Sequence, residues 1–214
     1  MPTELDIERW PRRDAYRHFS RFAHPWFSVC TRVDVAPLMQ RLAERGGGRL
    51  MLAYHHAALV MSNRIEPFRY RLRDGGVWIE DRVDCSTTVL RDDGSFGFAR
   101  LVHRPSFDDY LADAAQAIED ARAGRVPFDA WNGRTDLIYC TTLPWIHFTS
   151  FSHARPADPT DAIPRLAFGR IEADGARRWM PVQLDVHHAL MDGAHAGQWV
   201  QGFEQAMAEP AAWL

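Results

Sequence analysis

The sequence contains no lysine, so all 25 basic side chains are arginine. This absence excludes Schiff-base chemistry, pyridoxal-phosphate anchoring and the P-loop, because each of these depends on a lysine amine. The patterns G-x-G-x-x-G and G-x-S-x-G are also missing. The chain therefore lacks the motifs of the common nucleotide-binding proteins and serine hydrolases.

Cysteine is scarce as well. Cys30, Cys85 and Cys140 are odd in number and widely spaced, which argues against a disulfide framework and against a C-x-x-C metal site. We expect reduced, mostly buried thiols in a cytoplasmic protein. No apolar run approaches the ~18 residues that span a bilayer, and residues 1–16 are charged throughout, so we expect neither a membrane span nor a secretory signal. A net charge of −3 gives no sign of nucleic-acid binding.

The composition is that of a soluble globular protein, with 46% hydrophobic and 25% charged residues. Helical and strand patterns alternate to both ends of the chain, and neither a linker nor a repeat interrupts them. Because the strand pairs look antiparallel, we predict one α+β domain spanning residues 1–214. In this domain, helices flank a large mixed, mostly antiparallel sheet.

Periodicity and capping residues predict the individual elements. A short helix is expected within residues 5–22, and further helices are expected over residues 35–45, 49–63, 107–122 and 194–208. Strands are expected over residues 26–33, 68–73, 77–80, 86–90, 95–103, 137–142, 145–152, 165–171 and 177–186. Asp34 and Ser106 are predicted to cap two of the helices. The pair His55-His56 is expected to have a packing or surface role.

Residues 182–193 carry the most informative pattern. An alternating strand over residues 182–186 ends at His187 and His188, and Asp192-Gly193 then turns the chain. Neighbouring side chains of a strand point to opposite faces, so the two histidines cannot chelate one metal from regular geometry. A purely structural role for the pair is one possibility. The other is catalysis, since an imidazole with an ordinary pKa of about 6.5 can take a proton from an alcohol at neutral pH.

The stretch His187-His188-x-x-x-Asp192-Gly193 resembles the His-His-x-x-x-Asp-Gly motif of the chloramphenicol acetyltransferases. That family belongs to the CoA-dependent acyltransferases, which also include the dihydrolipoyl acyltransferase catalytic domains. The likeness extends from Trp10-Pro-Arg-Arg to the C-terminal helix and includes Pro144-Trp145. It implies the acyltransferase fold, His188 as general base and Asp192 as its structural partner, in a buried pair with Arg12.

The same resemblance implies the rest of the site. Thr141 falls where the family has a serine that hydrogen-bonds the oxyanion; it keeps the hydroxyl but adds a methyl group and a stiffer χ1. The residues expected to bind the acceptor are Phe19, Phe27, Phe96, Phe128 and His153. Those expected to bind the coenzyme are Trp145, Arg170 and Arg49.

Four positions besides Thr141 depart from the family pattern. Phe19 replaces a tyrosine and Ala167 a threonine, while His153 and Arg155 replace a leucine and a valine of the apolar pocket wall. A site built to hydrogen-bond one alcohol discriminates by leaving polar groups unpaired with another. These changes therefore predict weaker chloramphenicol binding or a different acceptor.

The resemblance implies acetyl transfer from acetyl-CoA to a hydroxyl of chloramphenicol or a similar small alcohol, as in antibiotic resistance. It implies a homotrimer with active sites at subunit interfaces, where the neighbour contributes Phe19, Phe27 and Phe128, and no metal or prosthetic group. Two alternatives remain: an acyltransferase for a different, more polar acceptor, and a drug-binding protein with weak catalysis. A metal site is disfavoured, since neither carboxylate nor cysteine lies at chelating spacing from His187 or His188.

Overall fold

One seven-stranded sheet organises the chain in the computed structural model, which describes residues 1–214. The ten strands of the protein are β1 Thr3–Glu4, β2 Trp26–Asp34, β3 Tyr70–Arg73, β4 Gly76–Ile79, β5 Asp84–Leu90, β6 Phe96–Leu101, β7 Leu137–Leu143, β8 Arg165–Gly169, β9 Glu172–Asp174 and β10 Arg177–His187. The large sheet has the order β2-β10-β8-β7-β5-β6, and β9 pairs with β10. Strands β1, β4 and β3 form a small second sheet.

The large sheet is mixed, as predicted. Strand β10 pairs antiparallel with β2 on one side and with β8 and β9 on the other, and β5 pairs antiparallel with β6. Only β7 runs parallel to its two neighbours, β5 and β8. The strand that ends in the histidine pair is therefore held by neighbours on both sides.

Five α-helices accompany the sheet: α1 Arg13–Phe19, α2 Ala36–Glu44, α3 Leu50–Arg64, α4 Phe107–Arg122 and α5 Gly193–Ala208. Short 3-10 turns occupy Ile7–Arg9, Glu66–Arg69 and Pro210–Ala212. Helix α3 is buried along most of its length, including His55 and His56, which confirms their expected packing role. No helix has the length and apolar character needed to cross a bilayer.

The two faces of the sheet differ in chemistry. Val182, Leu184 and Val186 of β10 belong to the main apolar core, in which helix residues such as Leu59, Trp199 and Phe203 also lie. Because side chains alternate along a strand, Gln183 and Asp185 point to the opposite face. Both are buried. The face away from the helical core thus carries a polar cluster next to the strand end.

Helix starts follow the predicted capping residues. The Ser106 hydroxyl accepts from the backbone N–H of Asp109 at 3.5 Å. Asp34 lies one position before the N-cap of α2, yet its carboxylate accepts from Ala36 N at 3.0 Å and also from Arg178 N at 2.9 Å.

The strand predicted over residues 145–152 is wrong. Strand β7 ends at Leu143, and the following segment crosses the sheet edge without a ladder. Its backbone makes a turn bond from Ile146 N to Leu143 O at 3.2 Å and accepts one backbone bond from outside the segment, from Arg170 N to Ile146 O at 2.8 Å. Gly169 permits this approach, since a Cβ there would lie 2.9 Å from the Ile146 carbonyl oxygen. The apolar alternation of the segment serves to bury Phe148 alone.

Candidate active site

His187 and His188 occupy different environments, as their positions on a strand require. His187 is the last residue of β10 and is buried, with its ring edge-on to Trp26 at 5.2 Å. Burial and the charges of Arg155 and His188 together lower the pKa of His187 to about 4. His187 is therefore neutral at neutral pH, and it lies on the same face of the sheet as Gln183 and Asp185, away from the helical core.

His188 lies half-buried just beyond the strand, between two aromatic rings. Phe19 stacks on it with ring centroids 3.8 Å apart and planes 10° apart, and Phe27 lies at 4.7 Å. Nδ1 is 3.2 Å from the carbonyl oxygen of Met191. A carbonyl can only accept, so Nδ1 carries the proton and Nε2 keeps a free lone pair. This is the tautomer of a base that acts through Nε2.

Arg12 fixes the turn that carries His188. Its guanidinium donates to Asp192 Oδ2, to the Ala189 carbonyl and to the His188 carbonyl, each at 3.1 Å. The contact between Arg12 and Asp192 predicted from the sequence is therefore present. One cation at the start of α1 clamps both ends of the turn between β10 and α5.

Asp192 is also the N-cap of α5. Its Oδ1 accepts from Ala194 N at 3.0 Å, and its own N–H donates to His195 Nδ1 at 3.1 Å. Burial raises the pKa of the carboxyl, but the charge of His195, the Ala194 N–H and Arg12 outweigh it, so the pKa is lowered. The expectation that both partners are buried is wrong: the Arg12 side chain is 14% exposed, but that of Asp192 is 39% exposed. The carboxylate lies at a helix end that is open to solvent.

Thr141 lies elsewhere, on β7, where it lines a cavity of about 260 Å³. His153 and Phe128 line the same cavity, as expected for an acceptor pocket. Phe96 packs at its edge, 5.5 Å from the ring of Phe128. Arg155 is not in this wall, contrary to expectation. It lies over the ring of Trp26, 3.1 Å from the centroid, because the apolar indole face attracts the guanidinium.

Two of the three residues expected at the coenzyme, Trp145 and Arg170, contact each other at one end of the large sheet. Trp145 and Arg170 follow the parallel strands β7 and β8, and Arg170 donates to the Trp145 carbonyl at 3.2 Å. Arg49 directly precedes α3, and Tyr54 in the next turn of that helix lies 3.3 Å from Thr142 near the end of β7. Trp145 is 60% exposed, and Arg49 is also exposed.

Within one chain, Thr141 and His188 are far apart. Thr141 pairs with Ala167, which pairs with Gln183, and the histidines follow Gln183 by at least four residues along β10. Strand rise and strand spacing then place His187 about 16 Å from Thr141. The predicted site is thus divided into a base half around His188 and a pocket half around Thr141. Phe19 and Phe27 belong to the base half of the same chain, so the expectation that a neighbour supplies them to His188 is wrong.

One group of potential metal ligands lies in the core. The ligand atoms of His55, Cys85 and Cys140 are within 4.8 Å of one another. Both imidazole nitrogens of His55 are already bonded, to Met51 O at 2.8 Å and to Thr87 Oγ1 at 3.2 Å. Burial raises the pKa of Cys85, which disfavours the thiolate that a metal requires. Packing and hydrogen bonding account for this group.

The sequence argument missed the partner of His153. Nδ1 of His153 donates to Asp185 Oδ2 at 2.8 Å, and Ser28 donates to Oδ1 of the same carboxylate at 2.6 Å. Asp185, a charged residue of an alternating strand two positions before His187, was the available signal.

Comparison with known proteins identifies the family of this chain. The family model for chloramphenicol acetyltransferase matches residues 2–204. A chloramphenicol acetyltransferase of Streptomyces acrimycini is 26% identical over 217 residues, which cover 100% of this chain and 97% of that protein.

Solved structures show the same fold. A chloramphenicol acetyltransferase superposes with a TM-score of 0.86 at 26% identity and covers 97% of this chain and 100% of that one. A dihydrolipoamide acetyltransferase of Azotobacter vinelandii has a TM-score of 0.69 at 20% identity, with 93% and 87% covered, and so shares the fold. This chain belongs to the chloramphenicol acetyltransferase family.

Proposed function

We propose that this protein transfers an acetyl group from acetyl-CoA to a hydroxyl of chloramphenicol or a similar small alcohol, with His188 as the general base. The observation that carries the proposal is the state of His188. Its Nδ1 is tied to the Met191 carbonyl, its Nε2 is free, and the turn around it is clamped by Arg12. Family membership supplies the reaction class.

The reaction follows from that arrangement. Nε2 of His188 takes the proton of the acceptor hydroxyl as its oxygen attacks the thioester carbonyl carbon. The carbonyl oxygen becomes an oxyanion, to which the Thr141 hydroxyl donates a hydrogen bond. When the tetrahedral intermediate collapses, the C–S bond breaks, the acetyl ester leaves, and the imidazolium returns its proton to the CoA thiolate. Such an oxyanion donor typically contributes about 10²–10³-fold in rate.

We propose a homotrimer in which the base half of one subunit faces the pocket half of the next. The division of the site within one chain supports this, because His188 cannot reach Thr141 without a second copy. The apolar surface supports it too: Phe96, Phe128, Trp145 and Ile146 are each about half exposed in the single chain, and they surround the pocket half. Apolar patches of this kind mark interaction sites.

The coenzyme would bind at Trp145, Arg170 and Arg49. Arginine side chains suit the phosphates of coenzyme A, although Arg170 is also paired with Glu172 at 2.6 Å. The indole of Trp145 offers an exposed flat surface beside them. We further propose that residues 1–214 act as one domain, in the cytoplasm, where acetyl-CoA is available, and that no metal takes part.

Thiol release tests the function directly. The purified protein, acetyl-CoA and a thiol-reactive dye are mixed, and chloramphenicol is added. We expect chloramphenicol-dependent thiol release that His188→Ala lowers by about 10²–10⁴-fold, the usual contribution of a general base. His103→Ala, a change outside both halves of the site, is the matched control. Binding of chloramphenicol without thiol release would favour the drug-binding alternative, and release with other alcohols alone would favour a different acceptor.

A further inference from the structure

Asp185 and His153 form a second aspartate–histidine pair, outside the His188 turn. Oδ2 of Asp185 accepts from His153 Nδ1 at 2.8 Å, with Arg155 at 3.5 Å from the same oxygen. Oδ1 accepts from Ser28 at 2.6 Å and from Gln183 at 2.8 Å. Burial raises the pKa of Asp185, but these hydrogen bonds outweigh it and lower the pKa to about 2. The carboxylate is therefore ionised and held on both oxygens.

This pair fixes the orientation of the imidazole. In the tautomer in which Nδ1 donates to Asp185, the lone pair of the imidazole lies at Nε2. Nε2 of His153 is buried and has no hydrogen-bond partner, and only 9% of the side chain is exposed. Packing alone does not explain such an atom, since buried polar atoms are almost always bonded.

The ring lines the same cavity as the Thr141 hydroxyl. One part of the cavity wall is aromatic and the other carries hydroxyl groups; the aromatic residues are Phe98, Phe128 and Trp131, and the hydroxyl-bearing ones are Ser86, Thr88, Tyr139 and Thr141. The wall thus suits a small molecule with a flat apolar part and several polar groups.

We propose that Nε2 of His153 accepts a hydrogen bond from the acceptor, and so selects acceptors that carry a second donor besides the hydroxyl that is acetylated. The second donor is a hydroxyl or an amide N–H, and Asp185 is the positioning residue that keeps Nε2 available. This inference rests on the proposed function, because it assigns the cavity to the acceptor. An acceptor without the second donor leaves Nε2 buried and unpaired, which lowers its affinity by about 5- to 150-fold.

Chloramphenicol and two of its analogues provide the test. Besides its primary hydroxyl, chloramphenicol has a secondary hydroxyl and an amide N–H. One analogue replaces the secondary hydroxyl by hydrogen, and the other carries a methyl group on the amide nitrogen. Dissociation constants are measured by calorimetry, and turnover by thiol release. The native protein should bind at least one analogue about 5- to 150-fold more weakly than chloramphenicol.

Variants assign that preference to His153. His153→Leu should bind all three ligands nearly equally, and His153→Gln, which keeps a polar group at the position of Nε2, should restore part of the preference. Asp185→Asn should weaken the native preference for ligands with the second donor, because it removes the carboxylate that fixes the tautomer of His153. His103→Leu, a histidine after β6 and outside the cavity, should keep the native preference.

The outcomes separate the two proposals. Equal binding of all three ligands by the native protein, or an unchanged preference in His153→Leu, overturns the role of His153 even if chloramphenicol is acetylated. Selective binding without any thiol release contradicts the proposed function and leaves the role of His153 standing. If none of the three ligands binds, the role of His153 and the acetylation of chloramphenicol are both wrong.

Discussion

Arg12→Ala tests how the His188 turn is held. The substitution removes three hydrogen bonds, one to the Asp192 carboxylate and two to the carbonyls of His188 and Ala189. For a fully buried ion pair, loss of one partner costs about 3–5 kcal/mol, because the other charge is stranded. The Asp192 carboxylate is 39% exposed, so water and the Ala194 N–H still solvate it.

The expected cost is therefore smaller. We expect Arg12→Ala to lower the free energy of unfolding by about 2–3 kcal/mol, chiefly through the two partly buried carbonyls that lose a charged donor. Asp192→Ala should cost about 1–2 kcal/mol, the usual value for a lost helix cap with a further contact. The double variant gives the interaction free energy between the Arg12 and Asp192 side chains. We expect about 1 kcal/mol, the upper end of the range for partly exposed ion pairs.

Urea unfolding at one fixed protein concentration gives these energies, and thiol release gives the activity. Both single variants should lose activity even where they remain folded, because the carbonyl of His188 is no longer held. Arg13→Ala is the matched control: this arginine lies next in the chain and contacts only Asp14 and Glu8. If the coupling free energy between Arg12→Ala and Asp192→Ala is near zero and Arg12→Ala keeps native activity, Arg12 does not hold the His188 turn.

Three further predictions concern other parts of the molecule. Thr141→Ser should preserve or raise the rate of acetylation, since serine offers the same donor with a freer χ1. Thr141→Ala should lower the rate by about 10²–10³-fold. Equal rates in the native protein and both variants would exclude Thr141 from the oxyanion site. Burial lowers the pKa of His55 to about 4, below its unfolded value, so this residue contributes stability above pH 6.5 that is lost as the pH falls toward 4. When the pH falls from 7 to 5, the free energy of unfolding of His55→Asn should therefore decrease by about 2 kcal/mol less than that of the native protein. Equal decreases in urea titrations would contradict the lowered pKa of His55. Light scattering should give the mass of a trimer, and a stable, active monomer would disprove the assembly.

The fold was largely predictable because local pattern and tertiary structure agree. The strand of residues 177–186 alternates, and β10 is found over Arg177–His187. Ser106 and Asp34 capped helices where their side chains could satisfy the first N–H groups. Residues 145–152 alternated too, but the close approach of Ile146 to Gly169 depends on tertiary packing that periodicity does not contain.

The site was predictable in part. The His-His-x-x-x-Asp-Gly motif located His188 and Asp192, and the resemblance of Trp10-Pro-Arg-Arg located Arg12, which reaches the turn from the other end of the chain. The partner of His153 was not predicted, since His153 lies in a loop and Asp185 lies on β10, which is distant in sequence. Nor did the sequence show that Phe19 contacts His188 within the same chain, because the path of α1 over the strand end is a tertiary feature.

The central claim is that each active site combines His188 of one subunit with Thr141 of another. It can be tested by mixing two impaired variants, His188→Ala and Thr141→Ala, carrying different affinity tags, and isolating hybrid trimers. At some interfaces the intact His188 of one chain then faces the intact Thr141 of the other. Every hybrid trimer has one interface out of three at which both intact halves meet, so the isolated hybrids should regain about a third of native thiol release. Hybrids no more active than the average of their parents would show that the site lies within a single chain and would contradict the account.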